Sequence, residues 1–155
     1  MTAGPDHERY MRLAIALAAD RVGLTGANPA VGCVLVQGGT IVGEAATAAG
    51  GRPHAEEQAL DQAGDAARGG LAYVTLEPCG ERTGPGASCA LRLLQAGIGQ
   101  VFIACADSSP HASGRGSALL ESGGVVVCHG LLEREAATLY SSYVPVQKGF
   151  AERGG

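Results

Sequence analysis

GCVLVQGGTIVG, residues 32–43, places two apolar runs on either side of Gln37-Gly38-Gly39, the spacing of a β-hairpin closed by a short glycine turn. Two antiparallel neighbours therefore open a sheet. Upstream, Met11, Leu13, Ala14, Leu17 and Ala18 form the apolar stripe of a helix over residues 6–20, with Asp6 placed to cap its start and the turn at 23–29 ending it. Downstream, the pattern alternates. Gly50-Gly51-Arg52-Pro53 leads into a helix expected over 54–67. A strand at 71–76, a helix at 88–95 closed by Gly97, a strand at 101–106, a short helix at 117–121, a strand at 125–128 and a last helix at 131–143 follow. Residues 146–155 read as a frayed tail. Strands separated by helices pair in parallel, so beside the hairpin they predict a central mixed five-stranded sheet with helices on both faces. The expected fold is a three-layer α/β/α sandwich, one domain over 1–155 with its core in 6–145.

At 155 residues the chain can bury a single well-formed core. Its 46% hydrophobic content excludes a disordered chain. No apolar run approaches the roughly 20 residues of a membrane helix, and the charged residues 1–12 lack the apolar segment of a signal peptide. A cytoplasmic protein is expected. Five cysteines in such a chain read as reduced thiols. Cys33, Cys105 and Cys128 lie in apolar stretches, where cysteine behaves as a small hydrophobe, whereas Cys79 and Cys89 lie among polar residues and glycines. A net charge of −4, no tryptophan and 4% aromatic residues provide neither the basic footprint nor the stacking platforms of a nucleic-acid binder. Charge thus disfavours base editing in RNA and favours a small substrate.

His54-Ala55-Glu56, then Pro78-Cys79, then Cys89 supply one imidazole, one carboxylate and two thiols in the order found in zinc-dependent deaminases. Three protein ligands, His54, Cys79 and Cys89, would leave the fourth tetrahedral position of a zinc ion for water, whose pKa falls to roughly 7 in such sites. The expected fold brings the three together: His54 opens a helix, Cys79 lies just beyond a strand, and Cys89 begins the next helix, at the sheet edge where α/β proteins bind ligands. Helix N-termini there favour thiolates. Glu56, two residues after His54, turns away from ligation yet stays near the metal, where it can act as general acid and base. Taken singly, these residues have plainer readings. His followed by Glu at a helix start is commonly a solvated cap, and two thiols ten positions apart fit structural zinc, a redox pair or no function. Their joint order and placement favour the catalytic reading. His7, His111 and His129 lack ligand spacing.

Further motifs extend the pattern. Asn28-Pro29-Ala30-Val31-Gly32-Cys33-Val34, Leu76-Glu77-Pro78-Cys79, the spacing of Asp107, Pro110, Gly114 and Gly116, and Gly130-Leu131-Leu132-Glu133 make the chain similar, over residues 6–143, to the riboflavin-biosynthesis-type pyrimidine deaminases. The resemblance implies a cytidine deaminase-like fold, a homo-oligomer, zinc at His54, Cys79 and Cys89, and proton transfer by Glu56. It implies hydrolytic removal of an exocyclic amino group from a diaminopyrimidine ribosyl phosphate, with release of ammonia. It also places Asn28 and Asp107 on the substrate side. Asn28 could instead satisfy its own turn, and Asp107 with the following glycines could simply join a strand to a helix.

Two departures from that family concern specificity and extent. Nine residues, 80–88, separate the cysteines, one more than the family's usual spacing, and Glu81 stands where the family has a histidine. Arg82 with Thr83 could hold a phosphate through charge-assisted bonds; alternatively the loop, with Glu81, selects an uncharged or differently substituted ring. The chain also stops where the family's reductase domain would begin, so reduction is expected to need a separate protein. The alternatives to the riboflavin-pathway substrate are another free base, a nucleoside or a specialised-metabolite heterocycle. From a different class, the alternative is a non-catalytic zinc-stabilised module that binds a nucleotide or a partner subunit.

Overall fold

The structure is a computed structural model and describes residues 5–80, 88–106 and 114–141. The hairpin forms β1 (Gly32–Gln37) and β2 (Thr40–Ala46), antiparallel, with an irregularity in register between Leu35 and Val36. Beyond it come β3 (Leu71–Leu76), β4 (Gln100–Cys105) and β5 (Val126–His129) in a five-stranded sheet of order β2-β1-β3-β4-β5. β1 also runs antiparallel to β3, whereas β3–β4 and β4–β5 are parallel, so the sheet is mixed.

Alternation along the strands sorts the core into two layers. Cys33, Leu35, Ala72, Val74, Val101 and Ile103 face one side, where they pack under α2 (Ala55–Ala63), α3 (Cys89–Gln95) and α4 (Arg115–Ser122). Val34, Val36, Tyr73, Phe102 and Ala104 face the other side, under α1 (Pro5–Ala19) and α5 (Glu133–Ala137). The three-layer expectation holds, and among the described residues no helix is long and apolar enough to cross a membrane.

Several boundaries differ from the expectation, each for a local reason. α1 starts at Pro5, so Asp6 is a first-turn residue instead of the cap, where its charge still suits the helix dipole. β2 continues three residues past Gly43 because that glycine is a contact point: a Cβ there would stand 2.3 Å from the Ala59 carbonyl oxygen of α2. α2 ends at Ala63, and Gly64, at φ +56°, turns the chain into a 3₁₀ segment reaching Ala67. The last helix is cut to Glu133–Ala137 with a 3₁₀ turn at Thr138–Tyr140, since Gly130 and Leu132 both take positive φ before it.

Gly32 shows how tightly the α1 layer sits. A Cβ built there would lie 1.8 Å from the Ala14 carbonyl oxygen. Backbone has nowhere to yield cheaply, so Gly32→Ala is expected to destabilise the fold by about 1–3 kcal/mol or more, as overpacking does. Chemical denaturation checks this: an unchanged midpoint would mean that α1 does not rest on β1 at Ala14.

Candidate active site

Strand polarity decides which segments meet. β1 is antiparallel to β3 and pairs Cys33 with Val74, so the residues preceding β1 lie beside the carboxyl end of β3. β2 pairs Ala46 with Gly32, so the chain leaving β2 toward His54 emerges at the same edge. Asn28-Pro29, His54 and Glu77-Pro78-Cys79 are therefore neighbours, although they are far apart in sequence.

His54 precedes α2 in extended conformation as its N-cap. Its backbone amide donates to the Glu57 carboxylate at 2.9 Å, and the loop before it is tied by Gln58, whose amide donates to the carbonyls of Ala46 and Pro53. Cys89 is the first residue of α3, which Ser88 caps by accepting from the Leu91 amide. The Cys89 amide donates to Cys79 Sγ at 3.2 Å, and His54 Nδ1 lies 3.2 Å from Cys89 Sγ. One ligand atom from each of His54, Cys79 and Cys89 falls within 4.8 Å of the others, and among the described residues no other His, Cys, Asp or Glu joins this group.

The charges of the three groups are interdependent. The Cys79 thiol is brought down to about 4, chiefly because it accepts a hydrogen bond from the Cys89 thiol, with His54 and the Cys89 amide adding to the effect and burial opposing it. The same bond, then burial and the charge of Glu56, hold the Cys89 thiol up. His54 is raised, first by its hydrogen bond to Cys79. One thiolate, one thiol that holds its proton until a metal displaces it, and one imidazole are the soft donor set that suits tetrahedral zinc.

Glu56 is 3% exposed and is not among the three ligand donors. Burial pushes its carboxyl up to about 7, and the Cys79 charge adds to this, while a backbone hydrogen bond and the charge of His54 act the other way. Two adjacent glutamates thus divide the work: Glu57 caps α2, and Glu56 keeps a titrating carboxyl against the sulfur donors. The capping role of Glu57 was missed in the sequence, although His54 to Glu57 has the three-residue spacing of a capping box.

Glu77, whose role no local pattern announces, is a structural anchor. It is 5% exposed, and its carboxylate accepts from the amides of Gly114 (3.0 Å) and Ser117 (3.1 Å) and from the Ser117 hydroxyl (2.9 Å). Its own amide donates to the Cys105 carbonyl at 2.9 Å. One residue two places before Cys79 therefore holds the end of β4 and the start of α4. Gly116 closes the joint, since a Cβ there would lie 1.8 Å from the Pro78 carbonyl oxygen. Gly114, at φ +81°, and Gly116 thus serve the strand-to-helix connection, one of the two readings that the sequence left open. Nothing in a single sequence pairs Glu77 with Gly114.

Asn28 lies at the site edge, half-buried, and its Nδ2 donates to the Gly51 carbonyl at 2.9 Å. The bond ties two loops across 23 residues and is not a closure of its own turn. Glu81, Arg82, Thr83 and Asp107 lie outside the described residues.

Residues 5–105 match the family model described as the cytidine and deoxycytidylate deaminase zinc-binding region. The chain is 43% identical over 148 residues to the riboflavin biosynthesis protein RibD of Escherichia coli (strain K12), covering 94% of this chain and 38% of that protein. It thus spans well under half the length of that relative. It is also 43% identical over 127 residues to the diaminohydroxyphosphoribosylamino-pyrimidine deaminase of Buchnera aphidicola, covering 82% of this chain and 86% of that protein. The RibD structure from Acinetobacter baumannii superposes with a TM-score of 0.84 at 40% identity, over 89% of this chain and 39% of that one.

Proposed function

The chain belongs to the cytidine and deoxycytidylate deaminase zinc-binding family, and from that premise we propose that it hydrolyses the exocyclic amino group of a diaminopyrimidine ribosyl phosphate to a carbonyl, releasing ammonia. The observation that carries this reading is the placement of Glu56, buried and titrating near neutrality beside a three-donor group that it does not itself join. A purely structural zinc site has no use for such a group.

His54, Cys79 and Cys89 would hold the zinc, which supplies a Lewis-acid position and lowers the pKa of water to roughly 7. Glu56 takes a proton from water as the water oxygen bonds to the amino-bearing ring carbon. The carboxyl gives that proton to the ring nitrogen, then takes the second from the newly bonded hydroxyl and passes it to the amino group, which leaves as ammonia as the C–N bond breaks and the carbonyl forms. Asn28, at the mouth of the site, presents its side-chain carbonyl to the ring or sugar. On this reading Asp107 contacts the substrate, Arg82 with Thr83 binds the phosphate, and Glu81 selects the ring that is accepted. In the same reading the protein works in the cytoplasm as a homo-oligomer and passes its product to a reductase.

Ammonia release from the phosphorylated diaminopyrimidine, its dephosphorylated form, cytidine and dCMP tests the proposal. The phosphorylated compound is expected to have a kcat/KM at least about tenfold above the others, since a charge-assisted phosphate contact is worth about 1.5–3 kcal/mol. A preference for cytidine or dCMP, or for the dephosphorylated compound, would overturn the substrate assignment.

A further inference from the structure

At the same sheet edge, a closed circuit of hydrogen bonds takes no part in the chemistry above. The Gly32 amide donates to Thr75 Oγ1 at 3.0 Å, Thr75 Oγ1 lies 2.8 Å from the Tyr140 hydroxyl, and that hydroxyl donates to the Ala30 carbonyl at 2.9 Å. Proton count orients it. Tyr140 has one hydroxyl proton and gives it to Ala30, so the Thr75 proton must go to Tyr140. The circuit leaves the chain at Gly32 and re-enters it at Ala30, after crossing β3 and the 3₁₀ turn at Thr138–Tyr140.

Residues 29–31 precede β1 and lack strand partners of their own, yet their carbonyls and the Val31 amide are matched. Thr47, 2% exposed, accepts from the Val31 amide and donates to the Pro29 carbonyl, while its own amide donates to the Val31 carbonyl. Thr75, fully buried, and Tyr140 satisfy Gly32 and Ala30. The segment after Asn28 is therefore held from three separate parts of the chain. Of these, Tyr140 lies 110 positions from Ala30 and outside residues 5–105, which the family model covers.

We propose that Tyr140 is a positioning residue for the substrate side of the active site: with Thr75 it fixes the Asn28-Pro29-Ala30 turn against the end of β3 that leads to Cys79. This rests on the deaminase reading above. Neither Glu56 nor the three donors contributes an atom to the circuit, so its loss should act on substrate binding and spare the chemical step.

The test compares Tyr140→Phe, Thr75→Val, the double variant and Thr75→Ser, each at measured zinc content. The first two are expected to raise KM about tenfold with kcat within about threefold of wild type and zinc unchanged. The double variant should be no worse than the more impaired single one, because both break the same circuit, and Thr75→Ser, which keeps the hydroxyl, should restore wild-type KM. A lower melting temperature with KM unchanged, additive losses, or a fall in kcat at constant KM would overturn the proposal. Hydrogen exchange at the Val31 and Gly32 amides provides a readout independent of activity, and both single variants should exchange at least tenfold faster there. If wild type releases no ammonia from any compound, the functional reading fails by itself; unchanged exchange in Tyr140→Phe would sink the circuit.

Discussion

Glu56→Gln should lower the rate of ammonia release by about 10²- to 10⁴-fold while the protein keeps one zinc per chain. Glutamine preserves the shape of the side chain and removes the proton carrier, so the loss falls on kcat, with KM little changed. Equal activity in the variant and wild type would refute the assigned role. The substitution also has a signature in the metal-free protein. A buried carboxyl raised to about 7 binds its proton more tightly in the folded chain than in the unfolded one. The associated stability is present below the unfolded pKa, near 4.5, and is lost as pH rises through about 7. The difference between those values corresponds to roughly 3 kcal/mol as an upper figure. Glu56→Gln is therefore expected to flatten the fall in stability between these pH values, read from denaturation midpoints of metal-free protein.

Removal of the metal should have an equally large effect. A chelator, or Cys89→Ala, is expected to reduce activity by more than about 10³-fold, since a Lewis-acid site contributes several kcal/mol to such a transition state. Zinc should restore the chelated wild type and leave Cys89→Ala inactive. Cys79 is already lowered to about 4, whereas Cys89 keeps its proton, and His54 is raised by Cys79. Zinc binding must therefore expel the Cys89 proton and, below the His54 pKa, that of the imidazole as well. An indicator dye should report at least one proton released per zinc near pH 7, and apparent affinity should weaken as pH falls. Release of none would mean that the two sulfurs do not share a proton as the geometry indicates.

The grouping of His54, Cys79 and Cys89 was legible in the sequence because the positions of these residues are local. Each lies at the end of an element, and element ends follow from hydrophobic period, glycine and proline. The hairpin at 32–43 was legible for the same reason. What the sequence could not provide were pairings across space. Gly43 resembles a strand end until Ala59 of α2 is seen lying against it. Asp6 resembles a cap, because a helix start at Pro5 is not distinguished by periodicity. The 131–143 helix looked continuous, since nothing local announces that Leu132 will adopt φ +56°. Glu77 and Tyr140 belong to the same class: each side chain acts on partners at least 37 residues away, and no local period records such a bond.

The grip of Glu77 has a consequence for how this protein could change. Its amide secures the Cys105 carbonyl and its carboxylate secures Gly114 and Ser117, so residues 106–113 begin and end on a single anchor. Closing a longer or shorter connection between two fixed points costs little, about 0.6 kcal/mol for each doubling of length. Insertions and deletions within that stretch can therefore accumulate without shifting Cys79, two residues from the anchor. A different loop could be grafted between Cys105 and Gly114, leaving His54, Cys79, Cys89 and Glu56 in place. The scaffold thereby separates the length of this connection from the position of the His54, Cys79 and Cys89 group, and lets the two vary independently.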